Sequence, residues 1–106
     1  MSETSEITRP LLQILKQIGI LSFRMQSGVL KKGNNYIHMC EKGTADILCF
    51  PRGRVVWLET KQPKGHTNKE QIENQAEFKR KVTELGHEYY RITSIDEGLA
   101  VLNHHA

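Results

Sequence analysis

Residues 45–61 read ADILCFPRGRVVWLETK, and the way this stretch pairs with itself decides the fold. Two apolar runs, about 45–50 and 54–61, flank Pro51-Arg52-Gly53. Proline followed two residues later by glycine is turn chemistry, so the segment is expected to be a β-hairpin. Side chains along a strand alternate faces, so Val55, Trp57, Glu59 and Lys61 share one face while Val56, Leu58 and Thr60 share the other. A symmetric turn of two or four residues centred on Arg52-Gly53 pairs Phe50 with Val55, Leu48 with Trp57, and Asp46 with Glu59. Those two acids then stand opposite each other with β-carbons ~4.5–5.5 Å apart. A three-residue loop instead sends them to opposite faces.

Like charges at that separation repel, and a sheet built only for stability would avoid them. A divalent cation reverses the sign, because two carboxylates plus a backbone carbonyl can hold one Mg²⁺ or Mn²⁺ with water completing the octahedron. Lys61, one pleat beyond Glu59, could then orient or activate that water, or stabilise the charge of a phosphorane-like transition state. These are the parts of metal-assisted phosphodiester hydrolysis. The plainer alternative makes Asp46 a cap at the strand entry and Glu59–Lys61 a surface ion pair. Trp57 and Val55 on the same face argue that the face is at least partly covered.

The rest of the chain supplies a small frame for this hairpin. Its 106 residues are expected to form one domain, 1–106, and 38% hydrophobic with 25% charged residues excludes a disordered or membrane-embedded chain. No apolar run reaches the ~20 residues of a membrane helix. MSETSEITRP carries neither a basic nor an apolar leader segment, so a signal peptide is not expected and an intracellular protein is. Cys40 and Cys49 lack the spacing of a redox or zinc motif and are expected to be reduced residues in or near the core. A net charge of +3 permits nucleic-acid binding without demanding it.

Ile7, Leu11, Ile14 and Ile18 predict an amphipathic helix over about 5–18, ending at Gly19, with Pro10 delaying its regular part to about Thr8. Residues 20–26 and 36–40 are expected as short strands, and SGVLKKGNNY between them as a loop. Thr67 and Glu70 form a capping box for a helix running to about Leu85, with Gly86 as its left-handed end. On it Gln75, Phe78, Val82 and Leu85 make one buried stripe, where a glutamine needs hydrogen-bond partners. HEYYRIT is expected as a strand, and Ser94 and Glu97 open a last helix over about 95–103. The expected class is α/β (α+β), an αβββαβ core with a central mixed sheet flanked by helices.

Gly43-Thr-Ala-Asp46, the turn, and then Glu59-Thr-Lys61 resemble the PD-(D/E)xK nuclease superfamily, whose signature is an acid on one strand and E-x-K on the next. Gln75-Ala-Glu-Phe78, followed by Val82 and Gly86, narrows the resemblance to the virus-type replication-repair nuclease domain (VRR-NUC), in its stand-alone phage or bacterial form. The resemblance spans about Gly43 to Ile95. It implies a restriction-endonuclease-like fold and a Mg²⁺- or Mn²⁺-dependent DNA endonuclease. In that reading Asp46, Glu59 and the carbonyl of Thr60 are metal ligands, Lys61 serves the water, and Gln75 supports the site. Glu6 is the nearest match to an acid that the family carries in its first helix. The resemblance further implies a homodimer acting on branched DNA, as Holliday-junction resolvases do, in the cytoplasm of a bacterial or phage-infected cell. A catalytically inactive nucleic-acid-binding module of the same fold is the alternative. From the chain's own cations, Lys31, Lys32 and Lys64 are candidate DNA contacts, with His66 beside the E-x-K strand a further one.

Overall fold

The computed structural model describes residues 5–26, 29–61 and 68–103. Helix α1 (Ser5–Gln17) leads into strand β1 (Ser22–Arg24), a hairpin of β2 (Val29–Lys32) and β3 (Asn35–His38), and a second hairpin of β4 (Ile47–Cys49) and β5 (Val56–Thr60). Helix α2 (Lys69–Glu84), strand β6 (Glu88–Ile92) and helix α3 (Ile95–Asn103) complete it. Strands β1, β4, β5 and β6 form a four-stranded sheet in that order, while β2 and β3 form a separate two-stranded one. β1–β4 and β4–β5 are antiparallel and β5–β6 is parallel, so the central sheet is mixed and the class is α+β, as expected.

The hairpin closes through a two-residue turn. The Arg54 amide donates to the Pro51 carbonyl at 3.0 Å, and Arg52 and Gly53 both have positive φ, 47° and 78°. This is the type I′ geometry whose twist matches that of the flanking strands. Leu48 faces Trp57, Ile47 faces Leu58 and Cys49 faces Val56. Each strand is two residues shorter at its start and one at its end than expected, but the register is the symmetric one. Continued by one residue, it sets Asp46 against Glu59.

One face of the sheet makes the core. Ile47, Cys49, Val56, Leu58 and Ile92 are buried there against Ile7, Leu11 and Leu15 of α1 and Leu102 of α3. Arg54 ties the turn end of this layer together. Its guanidinium bonds both carboxylate oxygens of Glu88 and donates to the carbonyls of Val101 and Leu102 at the end of α3. That arginine is therefore committed to the fold. Cys49 is buried and Cys40 half-buried, both as free thiols, and burial pushes the Cys49 thiol up to about 12.

Several local expectations are corrected. α1 is regular from Ser5 despite Pro10, and its buried stripe is Ile7, Thr8, Leu11 and Leu15. Ile14 is only half-buried and Ile18 lies exposed beyond the helix. The stretch read as a loop holds β2, paired with β3 across a Gly33-Asn34 turn in which Gly33 has φ 64°. The α2 cap is Asn68 with Gln71, whose side chains and amides bond reciprocally, and Thr67 lies outside the described residues. At the other end the amides of Gly86 and His87 bond the carbonyls of Thr83 and Val82, closing the left-handed cap expected at Gly86. Leu85 is the C-cap residue and is exposed, outside the stripe.

Gly43 fixes where α2 lies. Its φ is 91°, and a β-carbon there would run into the backbone carbonyl of Asn74. The loop before Asp46 thus touches α2 main chain to main chain, one residue from Gln75. Gly53 has a similar positive φ but open space around it. Gly53→Ala is expected to cost about 1 kcal/mol from backbone strain alone. Gly43→Ala adds a backbone clash and is expected to cost about 3 kcal/mol or more, read by urea denaturation of both variants. Equal losses would show that the close approach contributes nothing.

Candidate active site

Helix α2 covers the second face of the sheet over β5 and β6. Phe78 meets Trp57 edge to face at 4.9 Å and packs on Tyr89 at 6.2 Å, while the Lys79 ammonium stands over the Tyr89 ring. The Trp57 indole N–H donates to Nδ1 of His87 at 3.1 Å. Rows of side chains run across this face by register. Phe23, Leu48, Trp57 and Tyr89 form one, and Asp46, Glu59 and Arg91 the next, at the end of β5 away from the turn. The aromatic row holds α2 one pleat away from the acids, and Gln75 reaches across to them.

Asp46 is held by Thr60. The Thr60 amide donates to Asp46 Oδ2 at 2.8 Å and the Thr60 hydroxyl donates to the same oxygen at 3.0 Å. The main chain of β4 begins only at Ile47, so the Asp46 carboxylate takes the Thr60 amide that a ladder partner would have taken. A hydroxyl has one proton to give. The contact between the Thr8 and Thr60 hydroxyls, 2.9 Å and fully buried, therefore has Thr8 as donor. A chain of polar bonds runs from α1 through β5 to the carboxylate. The N–H and C=O of one strand residue point to the same side, so the Thr60 carbonyl lies on the Asp46 side of β5.

Glu59 is 4% exposed. Its Oε2 accepts from the Gln75 amide at 3.4 Å and lies 3.9 Å from Lys61 Nζ. Its Oε1 is buried and accepts no hydrogen bond among the described residues. Burial, and then the charge of Asp46, hold the Glu59 carboxyl well above the usual carboxylate range, with Lys61 and Arg91 pulling weakly the other way. Lys61 is itself 8% exposed, so its ammonium is directed inward rather than to solvent.

The donor set fits a small hard cation. Mg²⁺ characteristically takes one or two carboxylates and keeps several waters, and an orphaned buried carboxylate oxygen beside a second acid is an atom such an ion would satisfy. Among the described residues no three His, Cys, Asp or Glu side chains gather around one point. Glu6, exposed in the first turn of α1, is thus not brought to Asp46 and Glu59. Asp46, Glu59, Thr60, Lys61 and Gln75 do come together. Lys31 and Lys32 are exposed on β2 rather than in a loop, and Lys64 and His66 lie outside the described residues.

Two residues in or beside this site escaped the reading of the sequence. Thr8 sits between Ile7 and Leu11 on a core-facing stripe, where a hydroxyl signals a buried partner, but nothing local names Thr60. Alternation in HEYYRIT puts Arg91 with Tyr89, yet only the pairing of β6 with β5 reveals that this is the Glu59 face.

A scan of the sequence against protein-family models finds no match, and a search of curated proteins finds none either. Among solved structures, one described as a VRR_NUC domain matches with a TM-score of 0.58 over 99% of this chain and 100% of that chain, at 14% sequence identity. Likeness at that identity concerns the backbone, and here it extends from end to end. The chain has the fold of a VRR_NUC domain.

Proposed function

We propose that the protein is a divalent-metal-dependent DNA endonuclease, with Asp46, Glu59 and the Thr60 carbonyl as ligands for Mg²⁺ or Mn²⁺. The observation that carries this reading is the buried Glu59 carboxyl, pressed against the Asp46 carboxyl, with one oxygen that accepts from no donor among the described residues. A bound cation supplies Lewis-acid polarisation of the phosphoryl group and an acidified water. Thr60 fixes Asp46 through one oxygen, Oδ2, on the side of the strand where its own carbonyl lies. Gln75 holds Glu59 Oε2, and Lys61 places a positive charge beside the same oxygen, where it orients the attacking water and offsets charge developing on the phosphate. Water loses a proton as its oxygen bonds to phosphorus, and the P–O bond to the leaving oxygen breaks. That oxygen takes a proton from solvent, leaving a phosphate monoester on one end and a hydroxyl on the other.

The resemblance favours branched DNA and a four-way junction as substrate, and a homodimer as the acting form. Leu21 before β1, Phe23 on it and Phe50 after β4 lie exposed together beside β1, an edge strand of the sheet among the described residues, and Phe23 and Phe50 meet edge to face. An apolar edge of this kind suits a second copy of the chain. Lys31 and Lys32 on the outlying hairpin are the cations proposed to reach DNA phosphates. No helix among the described residues is long and apolar enough to cross a membrane.

Lys61→Ala is expected to slow metal-dependent cleavage of a four-way junction by about 10²–10⁴-fold. The check is a panel of linear, flapped and junction DNA with Mg²⁺, Mn²⁺ or chelator, and a variant cutting at the wild-type rate would remove Lys61 from the mechanism. Phe23→Glu is expected to turn a sedimenting dimer into a monomer, and an unchanged sedimentation coefficient would exclude this edge as the interface.

The acids also predict a pH dependence. The folded state keeps a proton on Glu59 that the unfolded chain releases in the ordinary carboxylate range. In chelator the melting temperature should therefore fall as pH rises from that range toward about 9. Stabilisation by Mn²⁺ should grow over the same interval, because its ligands must be deprotonated. Glu59→Gln should flatten both trends, and a chelated wild type whose slope matches that of the variant would contradict the account.

A further inference from the structure

Among the described residues, the cations nearest this site are mostly engaged already. Lys61 is buried beside Glu59. Arg54 is bound to Glu88 and α3, and Arg80 to Glu77 and Glu84 on the outer side of α2. Arg91 differs from all three. It is the cross-strand partner of Glu59 in the parallel β5–β6 pair, so the two side chains leave the sheet on the same face. Its neighbour Ile92 points into the core, and Tyr89, two residues back, packs under Phe78 of α2. Arg91 itself is exposed.

An arginine opposite a glutamate would ordinarily be read as a cross-strand ion pair. That is not the arrangement here, because Glu59 turns to Gln75 and Lys61 and no ion pair of Arg91 occurs among the described residues. The guanidinium still lies close enough for its charge to be felt at both Glu59 and Tyr89. It is a permanently charged planar fork, held at one end of the row of acids and open to solvent. Such a fork matches two non-bridging oxygens of a phosphodiester, and its charge opposes the negative charge gathering there as the bond is cut.

We infer that Arg91 is a substrate-binding residue that grips the phosphodiester undergoing cleavage. This rests on the nuclease reading for its chemistry, but the phosphate contact can be measured without cleavage. Binding of a duplex oligonucleotide in chelator, followed by fluorescence anisotropy across a salt series, counts phosphate contacts through the slope of log K against log salt. Arg91→Ala is expected to reduce that slope by about 0.9, one contact's worth, and Arg91→Lys to restore it. Arg80→Ala, which removes an already paired guanidinium, should leave it unchanged.

In the presence of metal, Arg91→Ala is expected to lower kcat by about 10²-fold, with lysine recovering little because it keeps the charge and loses the fork. Mn²⁺ affinity by calorimetry should change far less than kcat, by no more than the loss of one nearby positive charge at Glu59 explains. An unchanged salt slope and an unchanged kcat in a wild type that does cut DNA would overturn the role of Arg91 and leave the nuclease reading standing. A reduced slope in a protein that cuts no DNA would uphold the phosphate contact and overturn the nuclease reading instead.

Discussion

The placement of Glu59 against Asp46 is the constraint to which the rest of the structure answers. A buried carboxyl beside a second acid opposes folding, by desolvation and by repulsion. The chain tolerates it because the reverse of the same strands is among its best-packed surfaces. Leu58 and Thr60, which flank Glu59, are fully buried, and Ile47, Val56 and Ile92 surround them with α1 behind. One strand thus carries the core on one side and the chemistry on the other. The backbone cannot relieve the acids without pulling the core apart.

Position is then refined by short polar bonds rather than by bulk. Thr8, Thr60 and Asp46 form a line from a helix to a carboxylate, in which each donor has one acceptor. Gln75 is set by a different means. The Trp57–Phe78–Tyr89 layer gives α2 its height above the sheet, and the main-chain approach of Gly43 to Asn74 gives its position along the axis. Two unrelated devices therefore converge on neighbouring acids. This suits a site whose two carboxylates must stay close although they repel.

Much of this was legible in the sequence, and what was not has physical reasons. Strand parity around Pro51-Arg52-Gly53 sets Asp46 opposite Glu59 for a symmetric turn and apart for a three-residue loop. The choice between them comes from the Arg54–Pro51 bond and the positive φ of Arg52, which the sequence does not show. The left-handed end at Gly86 and the start of α3, where the Ser94 hydroxyl accepts from the Glu97 amide, are readable because caps are local, although the Glu97 carboxylate bonds Thr93 rather than the Ser94 amide. The first helix was misjudged at Ile14 and Ile18, since residues a few positions apart can satisfy helical periodicity while only tertiary contact chooses among them. The Gly33-Asn34 turn reads as loop in the sequence because the lysines and asparagines around it carry no apolar alternation. Gly43 could be matched to a motif, but its reason, the backbone of Asn74, lies 31 positions further along. Thr8 and Arg91 acquire meaning only once α1 and β6 are set beside β5.

The Arg52-Gly53 turn stands at the far end of the hairpin from the acids, yet it governs whether they meet. Side-chain direction has period two, so one residue added between Phe50 and Val55 would either turn Asp46 into the apolar layer or force a bulge to absorb it. Two added residues would leave the pairing intact. Viable length variation at this exposed loop is therefore quantised in even steps, and natural variants or grafted insertions should obey that arithmetic whatever residues they contain. A surface turn already restricted in backbone conformation is thus restricted in the parity of its length as well.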